Sequence, residues 1–300
     1  HRMKYHLVTL GCQMNKSDSE RTRTVIEGMG YVWTDTEEDA DMLGLLACSV
    51  RQKSIDKVYT RISKWNKWKN RRNLLTFISG CMLSSDKQKF LKLFDLVFTI
   101  DELPDLSDMI RQYGVVTPAA YREDMETEAP GISLDAMKDN ASLLEITPVT
   151  TPNNDPSAIQ PFWKLAPNYS SSFEAFIPIQ NGCDKFCTFC AVPYTRGREV
   201  SRPSAKILEE LEALVKKGYK SITLLGQNVN SYGLDKKGDE IPFAELLRKI
   251  GEFGKQSGKE FWVYFTSPHP RDMSKEVIDV IAAYKCLAKQ IHLPVQSGDN

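Results

Sequence analysis

Cys183-Asp184-Lys185-Phe186-Cys187-Thr188-Phe189-Cys190 carries the strongest chemical signal in the chain. Three thiols fall within eight positions, spaced CxxxCxxC, and can reach three corners of one iron–sulfur cube. Such clusters are held by cysteine thiolates and ordinarily take four. No fourth cysteine follows nearby, so one iron is left for a ligand that is not protein. Catalytic zinc sites likewise keep a position free where structural ones close. The run therefore reads as a reactive centre.

The apolar segment 174–180 leads into this loop as a strand. A helix over 203–217 follows, with Pro203 near its first turn and Gly218 as its stop. The pattern continues as strand 219–225, loop Gly226-Gln227-Asn228-Val229-Asn230, helix 242–253, strand 260–266, helix 274–284 and strand 289–294. Strands alternating with helices predict most of a β/α barrel, whose chemistry sits at the carboxyl ends of its strands.

Towards the amino terminus the same alternation recurs. Residues 4–10 read as a strand ending at Gly11-Cys12, and Ser17-Asp18 can cap a helix running to about Met29. Met42 to Leu46 reads as a strand ending at Cys48, and Leu74 to Ile78 as one ending at Gly80-Cys81. Helices are expected over 51–69, 86–93 and 104–113, and a further strand over 95–100. This series predicts a doubly wound parallel sheet, in which ligands sit outside the carboxyl ends of the strands. A lone cysteine is commonly a small buried side chain. Cys12, Cys48 and Cys81 share one topological position, however, and read together as a second three-thiol cluster site.

Three regions are expected: an amino-terminal domain over 3–116, an irregular arm over 117–172 and an incomplete barrel over 173–300. Pro118, Pro130, Pro148, Pro152, Pro156, Pro161 and Pro167 interrupt the arm, while Phe162, Trp163, Tyr169 and Phe173 suggest that it packs on something. His1-Arg2 ahead of Met3 read as residues added before an initiator. The end at Asn300, just after a strand, reads as a cut chain.

Seven cysteines, an odd number, argue against a disulfide framework and for metal or catalytic use in a reducing, cytoplasmic setting. No apolar run approaches the ~20 residues needed to span a membrane. Net charge is zero, but Lys53–Lys92 holds 11 Lys+Arg against 2 Asp+Glu, and Leu93–Glu145 holds 3 against 12. Lys64, Lys67, Lys69, Arg71 and Arg72, interleaved with Trp65 and Trp68, have the character of an RNA contact. The same residues also suit a solvated helix with its tryptophans in the core. Cys286 has no partner spacing and reads as a core cysteine. His269, between two prolines, reads as structural.

Gly11-Cys-Gln-Met-Asn15, Asp18-Ser-Glu20, Cys48-Ser-Val-Arg51, Gly80-Cys81, the run Asn181 to Pro203 and Leu225 to Tyr232 together resemble the radical S-adenosylmethionine methylthiotransferases, most closely their tRNA-modifying branch. The likeness covers nearly everything but the arm. It departs at Leu46-Ala47, where the family usually has Asn-Thr, and at the end of the chain, where the family continues into the rest of the barrel and an RNA-binding TRAM domain.

The resemblance implies two 4Fe-4S clusters, one on Cys12, Cys48 and Cys81 and one on Cys183, Cys187 and Cys190. It also implies two S-adenosylmethionine molecules per turnover, one methylating a sulfur and one generating the radical that takes hydrogen from carbon 2 of the substrate adenine. Phe189 is the candidate for packing on the adenine of S-adenosylmethionine, and it suits plain core packing equally. Gly226 and Gln227 are candidates for its methionine and ribose, with Ser267 and Gln296 at later strand ends. Arg196, with Arg198 and Arg202, is a candidate for phosphate or cofactor contacts. The implied substrate is tRNA carrying N6-isopentenyladenosine at position 37, in an anticodon loop whose bases are already splayed. A monomer working with flavodoxin or ferredoxin as electron donor completes the expectation. Two alternatives stay open: a methylthiotransferase acting on an aspartate of a ribosomal protein, and a non-catalytic iron–sulfur protein. A zinc-binding RNA module fits less well, because CxxxCxxC lacks the paired zinc spacing.

Overall fold

The computed structural model describes residues 2–48, 52–112, 157–185 and 195–291. The chain divides into two units, His1–Asn168 and Tyr169–Asn300.

Unit 1 is built on a five-stranded parallel sheet of β1 (Lys4–Leu10), β2 (Val32–Trp33), β3 (Met42–Cys48), β4 (Leu75–Cys81) and β5 (Leu96–Val97), in the order β2-β1-β3-β4-β5. Crossovers leave β1 in one direction and β3 in the other, so right-handed connections put their helices on opposite faces. α1 (Gln13–Gly28) packs on β1 and β3. On another face, α2 (Gln52–Lys69) and α3 (Ser84–Leu91) bury Val58, Ile62, Trp65 and Phe90 against Leu43, Leu45, Ala47 and Ile78. β3 and β4 are buried at every position, as a parallel sheet covered on both sides requires. The order reverses between β1 and β3, the crevice where such sheets bind ligands.

Some elements differ from the sequence expectation. α1 starts a turn early: Cys12 is its N-cap, its carbonyl accepting from Lys16 N–H at 3.2 Å, while Ser17 and Asp18 are buried inside the helix. β4 runs on through Gly80 to Cys81, so Cys48 and Cys81 are the last residues of their strands. The strand expected over 95–100 shrinks to two residues, and a 3-10 turn over Ile100–Asp105 leads into α4 (Leu106–Gln112). Residues 113–156 of the arm lie outside the described part. Residues 157–168 of the arm belong to unit 1, where Phe162 and Trp163 are buried, Asn168 N–H donates to the Glu20 carbonyl at 2.9 Å and Arg21 stacks over Phe162, while 169–172 belong to unit 2.

The basic helix is tied into its own unit. Trp65 is fully buried, its Nε1 donating to Glu37 at 3.0 Å. Lys69 pairs with Asp95 at 2.7 Å, and Arg72 donates to the carbonyls of Ala40 and Glu37. Lys67 and Arg71 are exposed.

Unit 2 has a three-stranded parallel sheet in sequence order, β6 (Glu174–Pro178), β9 (Ser221–Leu225) and β10 (Trp262–Phe265), as a barrel winds. α5 (Ser204–Lys216), α6 (Phe243–Ser257) and α7 (Lys275–Ala283) supply Leu211, Leu214, Leu247, Ile250 and Val280 to the core over Ile177, Ile222, Leu224 and Val263. The single strand expected over 174–180 breaks at Ile179. Gln180–Asn181 forms β7, pairing antiparallel with β8 (Val200–Ser201). Of the strand expected over 289–294 only residues 289–291 are described; just before them Leu287 bridges to Val263, and Ala288 N–H donates to the Val263 carbonyl at 3.0 Å.

Candidate cluster sites

In unit 1 the three cysteines come to one sheet edge. Cys48 and Cys81 are register partners on neighbouring strands. Cys12 lies two residues beyond Leu10, whose partner is Ala47. Cys48 and Cys81 are buried, Cys12 is half-buried, and none of the three is in a disulfide. Gly80 sits at φ 115°, and a Cβ there would stand 2.3 Å from the Ala47 carbonyl oxygen, so only glycine lets β4 pass so close to β3 before presenting Cys81.

No three thiol, imidazole or carboxylate groups among the described residues are gathered tightly enough for a single ion. One ion would draw its ligands to about 2.0–2.3 Å. A four-iron cube instead binds each thiolate at a different iron and needs them spread. Cys12, Cys48 and Cys81, at or just past neighbouring strand ends, are the residues that would hold such a group. Ser79, on the same face of β4 as Cys81 by strand alternation, has a buried hydroxyl with no hydrogen-bond partner among the described residues.

In unit 2, β7 and β8 form the neck of the loop that carries CxxxCxxC. Gly182, at φ 76°, closes against the other side, where an added Cβ would stand 2.2 Å from the Arg198 carbonyl oxygen. Cys183 is buried; its N–H donates to the Gly197 carbonyl at 3.2 Å, and its Sγ accepts from Lys185 N–H at 3.4 Å. A backbone donor aimed at a cysteine sulfur suits a thiolate ligand. Cys187, Cys190 and Phe189 lie outside the described residues, as does Gln296.

A polar lattice joins the carboxyl ends of β6, β9 and β10. Lys185 pairs with Asp272 at 3.0 Å, and Asp272 accepts from Asn228 Nδ2 at 2.9 Å. Asn228 N–H donates to Gln180 Oε1 at 2.9 Å, and Gln180 Nε2 donates to Glu199 at 3.2 Å. His269 N–H donates to Asn230 Oδ1 at 2.9 Å, and Asn230 Nδ2 returns to the His269 carbonyl at 2.9 Å. Gly226 stands where a Cβ would meet Gln180 at 2.5 Å, which fixes the loop that presents half-buried Gln227. Ser267, exposed just after β10, holds φ 54°, a conformation that costs a non-glycine residue energy and marks functional loops.

Burial pushes the Glu199 carboxyl up to about 7, with Asp184 and Asp235 adding to the effect against the Ser231 hydroxyl. Burial acts the same way on Asp272, but hydrogen bonds from Asn228 and Lys185 outweigh it and hold that carboxyl below its ordinary range. Arg196 is half-buried and donates to Asn181 Oδ1 at 3.2 Å across the neck. Arg198 forks onto Asp184 at 2.7 and 3.2 Å and braces the loop, whereas Arg202 is buried on Glu210 of α5 at 2.5 Å and on the Pro178 carbonyl of β6. Cys286 is buried near Ile250, its thiol pushed up by desolvation, in keeping with a core role.

Residues 4–100 match Uncharacterized protein family UPF0004, and residues 177–300 match the Radical SAM superfamily. Two curated relatives are tRNA-2-methylthio-N(6)-dimethylallyladenosine synthases. That of Syntrophotalea carbinolica is 37% identical over 98% of this chain and 60% of its own length, and that of Carboxydothermus hydrogenoformans 36% identical over 99% and 60%. The chain thus joins a UPF0004 region to a Radical SAM superfamily region, and it is similar along nearly its whole length to these methylthiotransferases. It spans about 60% of the length of these methylthiotransferase relatives. Its fold is similar to that of a radical S-adenosylmethionine methyltransferase, TsrM, from Kitasatospora setae, solved with cobalamin and a 4Fe-4S cluster bound (TM-score 0.52, 13% identity, covering 94% of this chain and 57% of that one).

Sequence reading gave no role of their own to Asn15, Glu199 and Ser231, which lie inside the quoted motifs, or to Asp272, which lies outside them. None has a spacing that announces it. The lattice unites positions up to 87 residues apart, as between Lys185 and Asp272, and only strand order brings them together.

Proposed function

We propose that this chain carries the cluster-bearing part of a tRNA methylthiotransferase, which replaces the hydrogen on carbon 2 of N6-isopentenyladenosine at tRNA position 37 with a methylthio group. The supporting observation is that Cys12, Cys48 and Cys81 come to the carboxyl edge of one parallel sheet, while Cys183, the first cysteine of CxxxCxxC, follows the β7–β8 neck beyond β6 of the other. A purely electron-carrying protein would close each cluster with a fourth cysteine. A cluster on Cys183, Cys187 and Cys190 would supply the electron that cleaves S-adenosylmethionine, and one on Cys12, Cys48 and Cys81 would supply sulfur, methylated by a second S-adenosylmethionine.

The chain's own residues do the placing. Lys185 N–H orients Cys183 Sγ, while the Lys185–Asp272 pair holds the loop against the ends of β9 and β10. Gly226, Gln227 and Ser267 stand on that edge as candidates to bind the methionine and ribose, with Phe189 packing on the adenine and Gln296 and Arg196 as further contacts. Glu199, buried and inclined to keep its proton, adds no full negative charge beside the loop at neutral pH. A loop-exposed base meets such an edge without the cost of leaving a stacked duplex. The working setting is the cytoplasm, with a monomer drawing electrons from a flavodoxin or ferredoxin. Among the described residues no helix is long and apolar enough to cross a membrane.

Mass spectrometry of tRNA nucleosides from cells lacking the protein tests the reading. Loss of 2-methylthio-N6-isopentenyladenosine with accumulation of its unthiolated precursor is expected. Unchanged levels would sink it, and loss of methylthio-aspartate from a ribosomal protein would move the assignment to the other branch.

A further inference from the structure

Asn15 lies fully buried in the first turn of α1, and its amide meets the chain next to all three edge cysteines. Oδ1 accepts from the N–H of Cys12 at 3.4 Å and from its thiol at 3.4 Å. Nδ2 donates at 3.3 Å to the carbonyl of Ala47, the residue before Cys48. A Cβ added to Gly80, the residue before Cys81, would stand 3.0 Å from Nδ2. One added to Gly11, the residue before Cys12, would stand 2.3 Å from Oδ1.

The sheet alone does not fix these thiols equally. Cys48 and Cys81 are locked to each other by the β3–β4 ladder. Cys12 lies past the last ladder pair of β1, Leu10 with Ala47. The Asn15 side chain bridges that gap, and it needs both halves of its amide to do so: an acceptor for the backbone N–H of Cys12, the bond that remains once the Cys12 sulfur is a thiolate ligand with no proton to donate, and a donor for Ala47. Glycine on two sides leaves room for the amide and nothing larger.

We propose that Asn15 is the positioning residue of the Cys12/Cys48/Cys81 cluster, setting where the Cys12 sulfur stands relative to the other two. The inference rests on the cluster reading above. Partners that orient metal ligands typically contribute 10–100-fold to affinity.

The test uses the full chain with Cys183, Cys187 and Cys190 replaced by alanine, so that iron and sulfide reconstitute only the unit 1 cluster. Asn15→Asp keeps the shape and the acceptor but loses the donor to Ala47; Asn15→Ser loses the reach. Both are expected to speed iron loss to a chelator by about 10–100-fold and to alter the electron paramagnetic resonance spectrum of the reduced cluster. Gly80→Ala, pressing on the same amide from β4, is expected to perturb that spectrum as well. Thermal unfolding of the iron-free variants gives the structural baseline. An unchanged spectrum and unchanged iron loss in Asn15→Asp and Asn15→Ser overturn the proposal. So does a lowered melting point with a native spectrum, which would make Asn15 merely structural. If the parent with Asn15 intact binds no iron, the cluster reading fails and takes this inference with it; iron that is bound but indifferent to Asn15 overturns the inference alone.

Discussion

The two cysteine sets are built by opposite means. Unit 1 draws Cys12, Cys48 and Cys81 from three strands, 36 and 33 residues apart, whereas unit 2 offers Cys183, Cys187 and Cys190 within eight residues. Covalent proximity gathers the second set in any conformation of the chain, and the fold adds only a neck and a lattice. The first set exists only once the sheet has closed, and its spacing is a property of register. A local motif can therefore bind iron before folding is complete, while a long-range one couples metal binding to folding itself.

The largest effect comes from deleting one thiol of each set. Cys12→Ala and Cys183→Ala should each lower iron from roughly eight to roughly four per chain, with the methylthiolated nucleoside lost in both. Loss of all iron in either variant would break the picture of two independent sites. Iron analysis of the two proteins side by side decides it.

The next effect belongs to unit 2. Folding raises the Glu199 carboxyl from 4.5 to about 7. The folded state thus holds this proton more tightly than the unfolded one. Its contribution is complete below about pH 4.5, falls as pH climbs towards 7 and is gone above, on the order of 3 kcal/mol in all. Glu199→Gln should flatten the unit 2 unfolding free energy between pH 5 and 8 and leave unit 1 untouched. A denaturant series across that range that shows the same slope in both proteins would refute the assignment.

Gly182→Ala puts a side chain into a left-handed position against the Arg198 carbonyl. It should destabilise unit 2 by about 2 kcal/mol or more, since the left-handed conformation alone costs about 1–2 kcal/mol. Chemical denaturation measures the loss, and a change below about 0.5 kcal/mol would mean the neck is slack. The smallest effect is expected from Asp272→Asn. The pair it breaks is partly exposed and so contributes under about 1 kcal/mol, which should appear as a few-fold weaker hold on S-adenosylmethionine in equilibrium binding. A tenfold or greater loss would give Asp272 a direct contact that its place in the lattice does not suggest.

How much was legible in the sequence follows the same division. The spacing Cys183–Cys190 needs no structure to be recognised. The set Cys12, Cys48 and Cys81 emerged because buried parallel strands read as apolar runs, and each run ended in a cysteine. The strand order that makes β1/β3 a switch point was out of reach, since pairing partners leave no local trace. The start of α1 was misread because Ser17 and Asp18 have capping side chains, while the residue that begins the helix is a cysteine held by Asn15. The β7–β8 ribbon escaped because two-residue strands have no periodicity. The basic run 64–72 suited either an RNA contact or a solvated helix with its tryptophans in the core, and buried Trp65 together with the bonds to Glu37, Ala40 and Asp95 favours the second.

The register pair Cys48–Cys81 has one more consequence, in the handling of oxygen. Neighbouring strands run about 4.7–4.9 Å apart, inside the roughly 4.4–6.8 Å between Cα atoms that a disulfide bridges. Once iron is lost in air, these two thiols are poised to couple to each other, and the oxidised edge can no longer accept iron. Unit 1 should then regain its iron only after a thiol reductant has been supplied.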